Sequence, residues 1–341
     1  MSEENIQAAE NIIEVQKTLN LWLMARIAIP VLAGLLCMAC VMAHGKFASI
    51  FPNQSILCVV LCIAVVLTGA VFANRLCQKK SGILFKTAAV IPVLSEKYQT
   101  EKYHHSGDFS EHLRHAIIEG NLWQKASVND YFDGINEAGY AFECFDVRLK
   151  FNAIVLQGNV FKGHVVIIDM PWRITGDPVD ILHKTMKTEG HRQIRNLPAF
   201  KDAGFALRFE VSYTDEDIIE RLNQQSEGVK LKLAMTQNDK QVVKLAEDVD
   251  INKPIVALES IIHEKFAHQL IDIENETNEL VSIHIQNDKM YLSMASFCDI
   301  FEPRVWDLWM SPEKVKDRVR KELKYVDAMI QLMNDKKTAG L

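Results

Sequence analysis

Charge is all but missing from two stretches near the start of this chain. Trp22–Ala43 holds one charged residue, Arg26, and Ile56–Ala73 holds none. A lipid bilayer core is crossed by roughly 20 apolar residues in a helix, so both runs are long enough to span. A transporter or channel would place acids or bases along such helices to line a path, and these lack them.

Other absences narrow the chemistry. Gly158 and Gly163 have the spacing of a phosphate loop, but no Lys-Ser/Thr pair follows, and the stretch reads as a strand. No G-x-S-x-G elbow occurs. Of the seven cysteines only Cys144 and Cys298 lie beyond residue 86, which excludes a disulfide framework or zinc ribbon and fits a reducing compartment. Cys37 and Cys40 have redox spacing, but in an apolar helix they read as small filler. His263 and His268 resemble a zincin pair but stand five apart; zincins need four, to share one helix face.

What is present is first a membrane anchor. A cleaved signal has an apolar run of ~7–15 residues behind a basic leader. Here the leader is acidic (Glu3, Glu4, Glu10, Glu14 against Lys17) and the run is longer, so the runs are expected to form a transmembrane helical hairpin within residues 21–74. The lipid bilayer is thus the first expected partner. Pro30 is a possible kink. The link His44–Ser55 carries only Lys46, whereas Arg75, Lys79, Lys80 and Lys86 follow the second run. Positive flanks stay cytoplasmic, which puts both termini inside a bacterial inner membrane and the link outside. Trp22, Arg26, Arg75, Lys79 and Lys80 are the expected membrane-interface residues, Arg26 by snorkelling.

Residues 1–20 read as an amphipathic helix continuing into the first span. Residues 75–120 read as a basic flank and helical stalk, bent at Pro92. Residues 1–86 hold 7 basic and 4 acidic side chains out of 38 and 44, so 87–341 hold 31 and 40, a formal −9. That acidic balance speaks against a lipid- or nucleic-acid-binding surface and favours a protein partner with a basic surface.

Residues 121–310 are expected to be a cytoplasmic α+β domain with a mainly antiparallel sheet and flanking helices. Tyr140–Val147, His164–Asp169, Leu207–Tyr213, Leu280–Ile285 and Lys289–Met294 alternate or run β-branched, as strands do. Gln286-Asn287-Asp288 marks a hairpin turn. Gly163 marks a kink or bulge where a side chain must be absent. Asp169 reads as a strand-ending cap. Asp180–Asn196 is expected to be a short helix with connector, Thr214 or Asp215 to cap a helix through Leu222, and 229–245 to form a hairpin. Val256–Leu270 reads as a helix opened by Pro254. Residues 311–341 are an amphipathic C-terminal helix and tail: Ser311-Pro312-Glu313 starts it, and Val315, Val319, Leu323, Val326, Ile330 and Met333 form its stripe.

Several stretches in order then resemble one bacterial family. They are Asn129–Gly134, Phe145–Val147, Val160–Gly163, Leu197–Phe200, Phe209–Asp215, Lys289–Met294 and Asp299–Pro303. With a membrane hairpin in front, residues 20–305 are similar to the domain of unknown function 3137 family, with Glu216–Pro254 as an insertion. The resemblance implies an uncharacterised inner-membrane protein and no catalytic residues. It also implies a membrane partner of the LemA type, since such helical proteins are encoded beside family members.

Two functions therefore stand open. One is a non-enzymatic scaffold or protein-interaction module at the cytoplasmic face, without cofactor. The other is a membrane-tethered metal-dependent hydrolase using the 104–115 segment. There His112 and His115 lie one helical turn apart, and His105 with Asp108 or Glu111 would complete a metal site.

Overall fold

A computed structural model of the chain describes residues 3–50, 55–107, 109, 113, 125–152, 157–186, 192–213, 252–296 and 301–332. The expected helix at 214–222 and hairpin at 229–245 lie outside the described residues, as do Met333, Cys298 and Asp108, Glu111, His112 and His115. The chain divides into two compact units, residues 1–93 with 301–321, and 94–300 with 322–341.

The first unit is helical. Helix α1, Glu3–Met42, runs from the acidic leader through the first apolar stretch without a break, as expected, and carries Pro30 inside it. The link is more ordered than a polar turn, because His44–Ile50 forms α2. Helix α3, Ser55–Phe85, packs along α1. A single π-helical turn, Lys86–Val90, then leads into α4, Ile91–Tyr98. Pro92 cannot donate to Ala88 and its ring crowds that carbonyl; a wider turn just ahead of it absorbs the misfit without a break. Two helical stretches, Lys17–Met42 and Ile56–Tyr98, are long and apolar enough to cross a membrane, and only 6 % of the most apolar part of each is buried.

The second unit is built on one antiparallel sheet. In chain order its strands are β1 (Tyr103–His104), β2 (Lys125–Ile135), β3 (Ala141–Asn152), β4 (Gln157–Asp169), β5 (Val179–His183) and β6 (Arg192–Gln193). Helix α5 (Ala203–Arg208) follows, then β7 (Phe209–Tyr213). After residue 252 come α6 (Leu258–Ile261), α7 (Glu264–Thr277), β8 (Val281–Gln286) and β9 (Lys289–Ala295). The chain closes with α8 (Pro312–Glu322) and α9 (Lys324–Gln331). The sheet order is β1-β2-β3-β4-β9-β8-β5-β7-β6, and both edge strands are two residues long, which blunts the open edges.

Register puts Val211, Ile181, Ile283, Leu292, Val166, Cys144 and Phe132 in one row across the sheet. The row is buried end to end. Tyr98 packs edgewise on Phe142 and stacks on Phe132, while α7 lies on β8 and α9 on β4. Asp327 of α9 accepts hydrogen bonds from Tyr98 and Lys97, tying that helix to α4. The opposite face is aromatic at one end, where Tyr131, Phe145, Val165, Ile167 and Tyr291 gather with Phe109 and Leu113.

The β8–β9 turn forms where expected, with Asn287 at φ 54°, a left-handed position that asparagine tolerates. Gly163 sits where the backbones of β4 and β9 close on each other; a Cβ there would overlap the Met294 carbonyl oxygen. The register slip falls between Leu149 and Lys150, opposite the stretch just before it.

Four expectations are corrected. Asp180–His183 is a strand, not the start of a helix, because it pairs with β7 and β8 in the middle of the sheet and buries Val179 and Ile181 on one face and Asp180 on the other. Leu207 belongs to α5 and is exposed, so the strand begins at Phe209. The 256–270 helix is two pieces: the chain leaves helical geometry at Ile262, and His263 restarts it by capping Phe266 N–H. The closing helix is interrupted at Leu323, between α8 and α9.

Candidate functional site

The expected interface residues sit in the helical unit. Arg75, Lys79 and Lys80 are exposed on α3, and Trp22 is half-buried. Arg26 does not extend freely outward; its guanidinium donates to the Pro303 carbonyl at 3.3 Å. Of the histidine segment only the beginning is described. His104 lies in β1, and the His105 ring meets Tyr103 edge-on at 5.2 Å. His112 and His115 lie outside the described residues. Among the described residues no three His, Cys, Asp or Glu side chains are grouped to hold a metal ion.

The two zincin-spaced histidines do separate structural work. His263 caps α7, and His268 Nδ1 pairs with Asp202 at 2.8 Å. Asp202 also accepts from the N–H groups of Phe205 and Gly204 at the start of α5, and these bonds hold its carboxyl below its ordinary range.

Two polar clusters are buried in the sheet. On the face under α9, Asp130, Asp146 and His164 are register neighbours on β2, β3 and β4, each at most 2 % exposed. Tyr103 donates to Asp130, and His164 Nδ1 is 3.9 Å from Asp146. Cys144 lies two residues along. Burial first, then the charges of Asp146 and Asp130, push its thiol up, so it stays protonated and inert. On the other face Asp180 bonds His284 Nδ1 at 2.6 Å, and Nε2 of the same ring faces Gln286 Oε1 at 3.3 Å. A histidine with both nitrogens engaged in this way ties β5 to β8. Its far nitrogen is turned to an amide and not to a nucleophile, which general-base catalysis would require.

Among the described residues, an open groove of about 480 Å³ lies at the hairpin end of β2 and β3 and the facing ends of β4 and β9. Its charged lining is Glu101, Asp133, Glu143 and Asp169 against Lys102 and Lys289. Asp133 is committed, since it accepts from the N–H groups of Glu101 and Lys102. Asp169 and Lys289 are register partners, so the expected strand-ending acid faces a lysine on the next strand. Tyr131 donates to Glu143 at 2.8 Å, and burial followed by that bond pushes its phenol up. The groove is therefore a mixed, net-acidic trough with an aromatic floor. Sequence reading missed it because its walls come from four strand ends brought together only by register. The acid–aromatic alternation Tyr131-Phe-Asp133 and Phe142-Glu143 was the only local trace.

No protein-family model matches the chain, and no curated protein does. Among solved structures, the mycobacterial trehalose monomycolate transport factor A, TtfA, aligns over 72 % of this chain and 94 % of its own, at 11 % identity and a TM-score of 0.32. A likeness that slight carries no argument about fold or function.

Proposed function

We propose that this chain is a membrane-anchored interaction protein of the kind found in the domain of unknown function 3137 family. On this reading α1 and α3 form a transmembrane hairpin with both termini cytoplasmic, and the sheet unit presents a binding surface at the inner face. One observation carries the anchor: two long apolar helices lie side by side with their apolar faces uncovered. In water, exposing Leu35, Leu36, Val60, Leu61, Val65 and Phe72 together would be strongly unfavourable, at ~25 cal/mol per Å² of apolar surface. In lipid the same surface is in its proper solvent, and helices satisfy their own backbone.

The acidic trough at the strand ends supports a basic segment of a protein as the bound partner, and a LemA-type neighbour is one such candidate. Charge complementarity of this kind sets encounter and register more than affinity.

The anchor is tested at Ser49, which is exposed on α2. Ser49→Cys in a background without native cysteines should react with an impermeant thiol reagent in intact cells. Protection in intact cells with labelling after lysis would reverse the orientation; release of the protein by alkaline carbonate would end the anchored reading. The trough is tested separately, by Glu101→Lys with Glu143→Lys. That pair should abolish partner capture from native membranes while leaving carbonate resistance intact.

A further inference from the structure

The helical unit contains more than the two apolar helices. Residues 301–321, arriving from the far end of the sequence, belong to it as well. We propose that this return segment is a third lipid contact, an interfacial foot that seats Trp306 and Trp309 in the headgroup layer of an anionic leaflet. The inference rests on the anchored reading above.

The segment is clamped to both helices. Arg26 of α1 binds the Pro303 carbonyl, and the buried Lys86 pairs with Glu302 at 3.1 Å. Arg318 of α8 lies over the Phe85 ring at 4.9 Å and donates to Asp307 at 2.8 Å. Asp307 is fully buried and also accepts from Arg304 N–H, closing the 3-10 turn Val305–Trp309. Such a set of charge-assisted bonds fixes the turn rigidly against the helices.

What the clamp holds outward is unusual. Trp306 and Trp309 are 66 % and 68 % exposed, with ring centroids 6.3 Å apart. Two neighbouring indoles left in solvent mark a binding surface more often than a soluble one. Their place names the partner. The segment grips α1 at Arg26, and the uncovered apolar residues of that helix begin at Leu21, Met24 and Ile27 around the same point. It grips the end of α3 at Phe85 and the turn after it at Lys86, beyond the exposed basic flank Arg75, Lys79 and Lys80. The indoles therefore stand on the basic, headgroup side of the apolar band. That is the depth at which tryptophan concentrates in membrane proteins, with the ring in the acyl boundary and the N–H in the wet layer.

The charge fits the same partner. Residues 301–321 carry six basic and four acidic side chains within a chain of net charge −6. Two of the four acids, Glu302 and Asp307, are used up inside the clamp. Lys314 and Lys321 are exposed, as are Arg304 and Arg320, the last paired with Asp317 at 2.9 Å. Basic side chains beside exposed aromatics at an interface attract anionic headgroups.

The test uses the full chain in nanodiscs of phosphatidylcholine, with and without phosphatidylglycerol, whose acyl chains carry bromine at shallow or deep positions. Three single-tryptophan variants keep Trp22, Trp306 or Trp309, with Phe at the other tryptophans. Emission from Trp306 and Trp309 should be quenched most by bromines about 5–10 Å below the headgroups, more strongly with phosphatidylglycerol present, and Trp22 should be quenched as well. If Trp22 is quenched while Trp306 and Trp309 keep the emission of water-exposed indole, the foot is wrong and the surface belongs to a protein partner. If Trp22 too escapes quenching, the anchor itself fails. Should the single-tryptophan chains not fold, the double variant Trp306→Ser with Trp309→Ser in the otherwise native chain decides the matter. It should remove a large share of the shallow quenching; unchanged shallow quenching overturns the foot.

Discussion

Leucine is treated in opposite ways in the two units. Leu35, Leu36 and Leu61 on the apolar helices are each more than half exposed, while Leu149, Leu270 and Leu292 in the sheet unit are at 0 %. The side chain is the same; on the anchored reading proposed above, the difference lies in the solvent each unit is built for. The sheet unit gains its stability by removing apolar surface from water. The helical unit leaves that surface outside and relies on backbone hydrogen bonds, helix contact and its charged clamp.

The contrast breaks or holds most visibly at Phe145 and Leu35. Phe145→Ala empties the middle of the aromatic cluster and should cost the sheet unit ~3–5 kcal/mol. Leu35→Ala, made in the same detergent-solubilised chain, should leave the sheet unit's denaturation midpoint where it was. Equal losses from both would mean that α1 packs against protein in solution. A charge sharpens the comparison further. Leu35→Lys should reduce membrane insertion by ~2.5–3.5 kcal/mol, as for lysine at the centre of a spanning helix. On a water-exposed helix the same change would be harmless, so an unaffected carbonate-resistant fraction would contradict the lipid assignment.

Glycines repeat the comparison on a smaller scale. At Gly69 in α3 a Cβ would meet nothing within 4 Å, whereas at Gly163 it would strike the backbone of β9. Gly163→Ala should therefore cost ~1–3 kcal/mol by forcing two strands apart. Gly69→Ala should be neutral or favourable, since alanine is the better helix former. Urea titration of both variants reads the difference; a neutral Gly163→Ala would mean that β4 and β9 are not paired as described.

Legibility in the sequence followed the same divide. Long apolar runs and strict alternation, as at 281–295, depend only on a face being buried, and those elements were readable. Asp180–His183 was not, because a single acid in a short apolar stretch looks like a helix start; its backbone partners on β7 and β8, distant in sequence, make it a strand. The restart of α7 at His263 was hidden because histidine is an uncommon cap. The trough and the return of 301–321 depend on contacts between distant segments, and no local pattern carries them. The Trp306-x-x-Trp309 spacing beside Arg304 is the one local trace of that return segment.

The smallest expected effect tests that hidden cap. His263 Nδ1 accepts the Phe266 N–H at 3.1 Å, which only the unprotonated nitrogen can do. Burial, with Lys265 nearby, lowers its pKa below the ordinary 6.5, and a cation at a helix N-terminus opposes the helix dipole. The unfolded chain therefore binds a proton at this site that the folded chain refuses. Stability from the cap is whole above pH 6.5, and declines as pH falls from there to the folded pKa. His183, lowered by burial and then Arg208, adds to the same slope. Glu274 is raised by burial, so its contribution is greatest in acid and shrinks as pH rises above the ordinary 4.5; it opposes the histidines at lower pH. His263→Asn keeps an acceptor that does not titrate, so it should flatten part of the slope just below pH 6.5 and leave stability at higher pH nearly unchanged. His263→Ala should lose ~1 kcal/mol above pH 6.5, and less as pH falls, because the protonated wild-type ring no longer caps. Thermal melts of the three proteins across that window decide it. An asparagine variant with the wild-type slope would remove the neutral ring from the cap and leave the break at Ile262 without its cause.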